Sequence, residues 1–284
     1  MLPPLRIGSK IFDWKACPYF MGVLNITPDS FSDEGRFFGL KEAVLRAKEL
    51  IEEGADIIDI GGESTRPFSE PITEEEELKR VVPVVKAIRE ELPDVVISVD
   101  TYKSRVAEEC LKVGASMIND ISAGCFDQRM VEVVKDFDCP YVIMHIKGTP
   151  KTMQENPQYK DVVKEVKEFL QNRMEFLVKK GISVEKIIID PGLGFGKNFE
   201  HNLEILKRLD EFYSLERPIL LGHSRKSFIG KVLNKLNPLD REGGTIGFSV
   251  WASLRGVHFL RVHRVDLNKD AVIMFKFLVQ QIGG

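Results

Sequence analysis

The sequence predicts an α/β protein of the (β/α)8, or TIM, barrel class, and three observations carry that expectation. Short apolar runs of the kind buried in parallel sheets alternate along the chain with amphipathic stretches long enough for helices. The runs number about eight, the count at which a parallel sheet closes into a barrel. Nearly every run ends in a polar residue, and the C-terminal ends of barrel strands are where such folds gather their chemistry.

Each element has a local reason. Leu5-Arg6-Ile7 and Lys10-Ile11-Phe12 flank the turn Gly8-Ser9 and read as a short N-terminal β-hairpin that plugs the barrel floor. The first barrel strand runs from Phe20 to Asn25. The others follow at Asp56 to Ile60, Val95 to Val99, Ser116 to Ile118, Tyr141 to Met144, Ile187 to Ile189, Ile219 to Leu221 and Phe259 to Val262. Helices are expected near residues 40–53, 73–91, 103–113, 127–137, 158–180, 200–212, 245–255 and 269–281. The second opens with Thr73 as N-cap, followed by Glu74 to Glu77, because acidic groups suit the positive end of a helix dipole. The fifth places Val162, Val166, Phe169, Leu170, Met174, Leu177 and Val178 on one apolar face and stops at Gly181. There is no repeat, low-complexity segment or linker, so residues 1–284 read as a single domain. Two strand-to-helix connections, Thr27 to Gly39 and Gly61 to Ile72, are long and rich in Gly, Pro, Ser and Asp. Loops of that kind at a catalytic mouth bind or cover ligands, and this composition implies that they order only around one.

Composition excludes several classes. A hydrophobic fraction of 43% supplies a core, and a net charge of −3 gives no electrostatic footprint for nucleic acid. No Lys/Arg block suits a membrane surface, no apolar run approaches the ~20 residues of a span, and Met1 to Arg6 lacks the features of a signal peptide. A cytoplasmic protein is expected. Cys17, Cys110, Cys125 and Cys139 form no Cys-x-x-Cys pair and have no His at zinc-ligand spacing, so they read as buried or idle thiols.

Asp100 and Asp190 end apolar strands, as does Asn119. Either carboxylate could instead cap the following helix. After Asp190, however, Pro191 to Lys197 forms a glycine-rich loop that lets a ligand approach the backbone. Two carboxylates and an amide suit a planar heterocycle bearing several N–H donors. Gly192-x-Gly194-x-Gly196-Lys197 fails the dinucleotide fingerprint, and Asn198 stands where a phosphate-binding P-loop needs Ser or Thr. Ser224-Arg225-Lys226-Ser227 and Arg261-Val262-His263 are the basic elements. Arg261 and His263 lie two apart in a strand and share a face, an arrangement suited to an anion near the ends of strands seven and eight. The same alternation turns Arg264 toward the helix layer. Lys226 as a Schiff-base lysine stays open, since Arg225 beside it would depress its pKa.

Together these residues resemble the dihydropteroate synthase family over nearly the whole chain. Asn25-Ile26-Thr27-Pro28-Asp29-Ser30-Phe31-Ser32-Asp33 resembles that family's first signature loop, and Gly61-Gly62-Glu63-Ser64-Thr65-Arg66-Pro67 its second. Ser98-Val99-Asp100-Thr101, Ile118-Asn119-Asp120, Met144-His145, Asp190 to Lys197, Ser224 to Ser227 and Arg261-Val262-His263 follow in family order. The resemblance implies transfer of the pterin group of 6-hydroxymethyl-7,8-dihydropterin diphosphate to 4-aminobenzoate, with Mg2+ as cofactor and a homodimer as the assembly. It implies a pterin pocket of Asp100, Asn119, Asp190 and Lys226. Asn25, Thr65, Arg261 and His263 would hold the diphosphate, with Asn25 also on the metal. Phe31, Asp33, Thr65, Arg66, Pro67, Phe195 and Ser227 would form the loops and the 4-aminobenzoate pocket. Asp100, Lys226, Arg261 and His263 would carry the catalysis.

Four positions depart from the family pattern. Arg264 stands where Asp is usual, Glu34 where Gly is usual, Lys147 where Gln is common, and His223 where a small or apolar residue precedes Ser224. Two rivals remain distinguishable by assay. A methyltransferase barrel using methyltetrahydrofolate would not need the Ser-Thr-Arg-Pro, Ser-Arg-Lys-Ser and Arg-x-His elements together. A non-catalytic pterin-binding barrel would bind without turnover.

Overall fold

The computed structural model describes residues 2–15, 18–26 and 36–282, without the side chains of residues 36–38. Strands β1 (Leu5–Ile7) and β2 (Lys10–Phe12) pair antiparallel as the expected hairpin. Strands β3 (Tyr19–Asn25), β4 (Ile57–Gly61), β5 (Ile97–Asp100), β6 (Met117–Asp120), β7 (Tyr141–Met144), β8 (Ile187–Asp190), β9 (Leu220–Leu221) and β10 (Phe259–Val262) form one parallel sheet. Its order is β8-β7-β6-β5-β4-β3-β10-β9, and the bridge between Ile189 and Ile219 joins β8 to β9 and closes the barrel.

The hairpin does seal the floor. Leu5, Ile7 and Phe12 pack on Met21, Ile57, Val96, Met117, Val142, Ile188, Leu220 and Phe259, one residue from each barrel strand or its entry. Fully burying such side chains stabilises the fold by roughly 1.5–3 kcal/mol each. Because side chains alternate faces along a strand, the residues two further on point inward directly above this layer. Those positions include Asp59, Ser98, Asn119, Asp190 and Arg261. Four positions on come Asn25, Asp100 and His263, at the rim. An apolar floor and a polar mouth thus follow from one periodicity.

Helices α1 (Arg36–Glu52), α2 (Glu74–Glu91), α3 (Ser104–Lys112), α4 (Met130–Asp136), α5 (Val162–Lys179) and α6 (Phe199–Lys207) clothe the barrel. Thr73 caps α2 as expected, its hydroxyl accepting from the Glu76 amide at 3.2 Å. The sixth helix ends earlier than expected: Leu209–Leu215 tighten into 3-10 turns that terminate at Glu216, whose φ is +53°. Between β9 and β10 the sequence suggested one helix near 245–255. The chain instead forms α7 (Ser227–Leu233), a 3-10 turn at Pro238–Arg241, and α8 (Glu242–Leu254). Here glycines at 243, 244 and 247 hide the helical pattern, and packing decides. α9 (Val265–Ile282) starts four residues earlier than read from sequence. Cys110 and Cys139 are buried free thiols and Cys125 is an exposed one, while Cys17 lies outside the described residues.

Candidate active site

The mouth is built around Arg261. Its Nε donates to Asp59 Oδ2 at 2.5 Å and its Nη2 to Asp100 Oδ2 at 2.7 Å. Asn119 Nδ2 donates to the same Asp59 oxygen at 3.1 Å. Strand register explains the cluster, for Asp59 pairs with Ser98, and Asp100 pairs with both Gly61 and Asn119. Arg261 was expected to face an anion; two of its donor groups are instead committed to carboxylates. The Asp59 atom Oδ1 and the Ser98 hydroxyl are buried without a hydrogen-bond partner among the described residues, so polar capacity is left over inside the barrel.

Asp59 is the residue that sequence reasoning missed. It is fully buried at the centre of the mouth, yet in sequence it looks like one more polar interruption of a strand. Its signal was a two-residue spacing from Ile57 in an otherwise apolar run.

Burial raises the Asp100 carboxyl, with Asp59, Glu77 and Asp120 adding to the rise and Arg261 opposing it. Asp190 is raised by burial too, against the opposing pull of Lys226 and the Gly192 amide, which donates to its Oδ1 at 2.7 Å. Lys226 is lowered to about 8, by burial first and by Arg261, against the opposing pull of Asp190 and Asp100. Its ammonium hydrogen-bonds the Leu193 carbonyl and sits 4.5 Å from the centre of the Phe195 ring. His263 is lowered to about 3, chiefly by burial and then by Arg261, Arg225, Arg66 and Arg46. Of these four, Arg261, Arg225 and Arg46 are themselves paired with carboxylates, and the His263 Nδ1 lies 2.9 Å from Ser224 Oγ.

Asn25 and Asp100 face each other across Gly61. A Cβ built on Gly61 would sit 3.7 Å from Asp100 Oδ2 and 3.8 Å from Asn25 Oδ1. Among the described residues no group of three or more His, Cys, Asp or Glu gathers to hold a metal. One hard amide oxygen beside a carboxylate still fits Mg2+, which keeps several waters and is held largely by substrate phosphates.

Two loop expectations change. The glycine-rich loop after β8 needs two of its glycines for packing as well: Gly192 and Gly196 have φ of +71° and +64°, and a Cβ would meet His145 O at 2.0 Å and Lys147 O at 2.4 Å. Lys197 turns inward to donate to the carbonyls of His145, Gly192 and Phe195 at 2.9–3.2 Å, so it ties its own loop. The second long loop is not left to a ligand for its order. Glu63 accepts from Tyr102 Oη at 2.7 Å and from the Ile72 amide at 3.2 Å, and also binds Lys103 Nζ. The Phe68 amide bonds Pro150 O at 3.0 Å, and the Ser69 hydroxyl donates to Arg66 O at 2.7 Å. Thr65, Arg66 and Pro67 stand on this braced segment, with Arg66 and Pro67 exposed. Ser227 is the exposed first residue of α7. Phe31, Asp33 and Glu34 lie outside the described residues. Arg264 points away as expected, paired with Asp266 at 2.7 Å.

The chain matches the family of pterin binding enzymes over residues 21–263. It is 46% identical over 255 residues to the dihydropteroate synthase of Escherichia coli K12, covering 90% of this chain and 89% of the relative. Among solved structures it resembles the Yersinia pestis dihydropteroate synthase in a sulfonamide drug complex, with a TM-score of 0.90, 40% identity, and coverage of 98% of this chain and 100% of that one. It equally resembles the Xanthomonas albilineans enzyme with 4-aminobenzoic acid, with a TM-score of 0.90, 38% identity and 99% of each chain covered.

Proposed function

The chain belongs to the pterin-binding enzymes and, among them, to the dihydropteroate synthases, and on that premise we propose a division of labour within the mouth. The reaction is a transfer: 6-hydroxymethyl-7,8-dihydropterin diphosphate and 4-aminobenzoate give 7,8-dihydropteroate and diphosphate, a step in folate biosynthesis. The observation that carries the assignment of residues is the convergence of Asp100, Asn119, Asp190 and Lys226 around Arg261 inside one barrel end.

Asp190 accepts from the aminopyrimidine edge of the pterin, and Asn119 and Lys226 complete the pocket. Asn25, Thr65, Arg261 and His263 hold the diphosphate. Mg2+, when bound with Asn25 among its ligands, supplies charge neutralisation for the leaving group. The C–O bond breaks first, in an S_N1-like step that leaves positive charge on the pterin methylene carbon. Asp100, whose ionised form Arg261 favours against the effect of burial, faces that charge and stabilises it. His263, neutral while the site is free of anion, gains basicity as the diphosphate arrives and donates a hydrogen bond to it.

The aniline nitrogen of 4-aminobenzoate then bonds the methylene carbon and releases its proton. Phe31, Asp33, Thr65, Arg66, Pro67, Phe195 and Ser227 form its pocket, with the Ser227 hydroxyl toward the carboxylate. The loops exclude water that would otherwise capture the cation.

The chain works as one pterin-binding domain in the cytoplasm and as a homodimer. The assembly is supported by an exposed apolar stripe of Ile273, Met274, Phe277, Leu278 and Ile282 on α9. No helix among the described residues is long and apolar enough to cross a membrane.

Steady-state kinetics with both substrates and Mg2+ test the assignment. Formation of 7,8-dihydropteroate is expected, with sulfamethoxazole competing against 4-aminobenzoate because it carries the same aniline ring and an acidic group. Pterin binding without turnover would support the scaffold reading, and inhibition independent of 4-aminobenzoate concentration would show that the second pocket is misassigned.

A further inference from the structure

The turn from Gly222 to Lys226 is attached on two sides. Ser224 meets His263, and Lys226 reaches the Leu193 carbonyl and the Phe195 ring, so both face the site. His223 and Arg225 point the other way, into α8 and α9. The His223 ring is fully buried and stacks on Phe248 with centroids 4.4 Å apart and planes 23° apart. Its Nε2 lies 2.9 Å from Ser249 Oγ. Ser249 Oγ is 2.7 Å from Asn268 Oδ1, and Asn268 Nδ2 is 3.2 Å from Glu242 Oε1. The other Glu242 oxygen takes Arg225 Nε at 2.8 Å. The hydrogen bonds leave the turn at His223 and return to it at Arg225.

The donors in this ring follow by elimination. Glu242 Oε1 and the Arg264 carbonyl only accept, and both face Asn268 Nδ2, at 3.2 and 2.6 Å. The amide oxygen of Asn268 therefore faces Ser249, whose single hydroxyl hydrogen goes to it. Ser249 has then only a lone pair for His223, which assigns the ring hydrogen to Nε2 at 2.9 Å rather than to Nδ1, 3.4 Å from the Leu221 carbonyl. Burial, which lowers this imidazole to about 3, keeps it neutral. Both arms of the ring donate toward Glu242.

The ring holds a conformation the chain would not keep by itself. Arg225 has a φ of +60°, the left-handed region that non-glycine residues avoid. Its amide donates to Thr245 Oγ1 at 3.1 Å, and its carbonyl accepts from Arg241 Nη1 at 2.9 Å. Every polar group of Arg225 with a bond described here is thus engaged by α8 or the turn before it.

We propose that His223 is a positioning residue for the reaction, holding Ser224 and Lys226 toward the substrate through Ser249, Asn268, Glu242 and the left-handed Arg225. The inference rests on the reading of Lys226 as a pterin ligand. It also gives a role to a residue that departs from the family pattern, since a small or apolar side chain could not begin the ring.

The test compares His223→Leu, His223→Gln, Ser249→Ala and Lys226→Ala in steady-state turnover across pH. His223→Leu keeps an apolar side chain of similar bulk and loses the donor; Ser249→Ala breaks the ring while leaving the imidazole stack intact. Both are expected to raise KM for the pterin diphosphate about tenfold, to leave KM for 4-aminobenzoate within about twofold, and to move the alkaline limb near pH 8 upward as Lys226 loosens into water. His223→Gln, which retains an N–H donor at similar reach, restores both readings to within about threefold. A wild-type KM and pH limb in Ser249→Ala, or equal losses in the Gln and Leu variants, would overturn the proposal. Lys226→Ala with an unchanged pterin KM would overturn the pterin-pocket reading instead, so the two failures are distinguishable.

Discussion

Arg261 reaches Asp59 and Asp100 from positions 202 and 161 residues away, and the trio sets the charge of the mouth. A guanidinium shared by two buried carboxylates leaves the cluster one negative charge in excess, while Lys226 offsets Asp190. Asp59→Asn keeps the shape but removes the charge and misplaces a donor against Arg261. Uncoupling a buried pair in this way is expected to cost about 3 kcal/mol of stability, read as a shift in the urea midpoint, and to reduce kcat/KM as Asp100 loses its fixed partner. The pH dependence belongs to the same residues. Asp100 must be ionised, and its carboxyl is raised by burial, so activity falls as pH drops through a point above the ordinary carboxylate range. Lys226, lowered to about 8, loses its charge as pH rises through that value. A kcat/KM profile for the pterin substrate is therefore expected to be a narrow bell, its alkaline limb near pH 8 and absent in Lys226→Arg. A flat profile across pH 6–9 would contradict the assignment.

At the scale of elements, the braced loop after β4 connects chemistry to the helix layer. Glu63 and Glu77 share Lys103, Tyr102 donates to Glu63, and Lys103 lies at the start of α3. Thr65, Arg66 and Pro67 are thereby positioned by contacts on the far side of their own loop. Glu63→Gln keeps the size and halves the negative charge facing Lys103, so the loop should loosen. A rise of about tenfold in KM for 4-aminobenzoate, worth about 1.4 kcal/mol, is expected with the pterin KM nearly unchanged. Steady-state kinetics with each substrate varied in turn separates the two. An equal effect on both would show that Glu63 supports the whole mouth rather than this loop.

Over the whole molecule, the hairpin under the barrel and the apolar stripe on α9 do different work. The hairpin closes the floor by packing Leu5, Ile7 and Phe12 into it. The stripe on α9 leaves Phe277 54% and Ile282 75% exposed, which is costly unless another surface covers them. If the proposed dimer forms through this stripe, Phe277→Glu is expected to yield a monomer in light scattering coupled to size exclusion, with the fold retained by circular dichroism. An unchanged mass would place the interface elsewhere.

The barrel itself was legible in the sequence because strand burial and strand-end polarity are local patterns, and so were the hairpin, the Thr73 cap, and Asp100, Asn119, Asp190, Lys226, Arg261 and His263 as candidates. A two-residue repeat fixes which face each side chain takes, and chain order fixes which end of the barrel it reaches. The partners were not legible. That Arg261 is held by Asp59 and Asp100, that Lys197 turns inward, that Glu63 braces its loop, and that His223 is tied through α8 and α9 back to Arg225 all depend on strands and helices far apart in sequence meeting at specific registers. The extra helix α7 and the early start of α9 were hidden for the same reason, since glycines and short segments carry little propensity and packing chose their conformation. Sequence determined the face and the end of the barrel on which each group stands. Only the closed tertiary structure decided which charges touch, because that is fixed by distances of a few ångströms between residues separated by up to 202 positions.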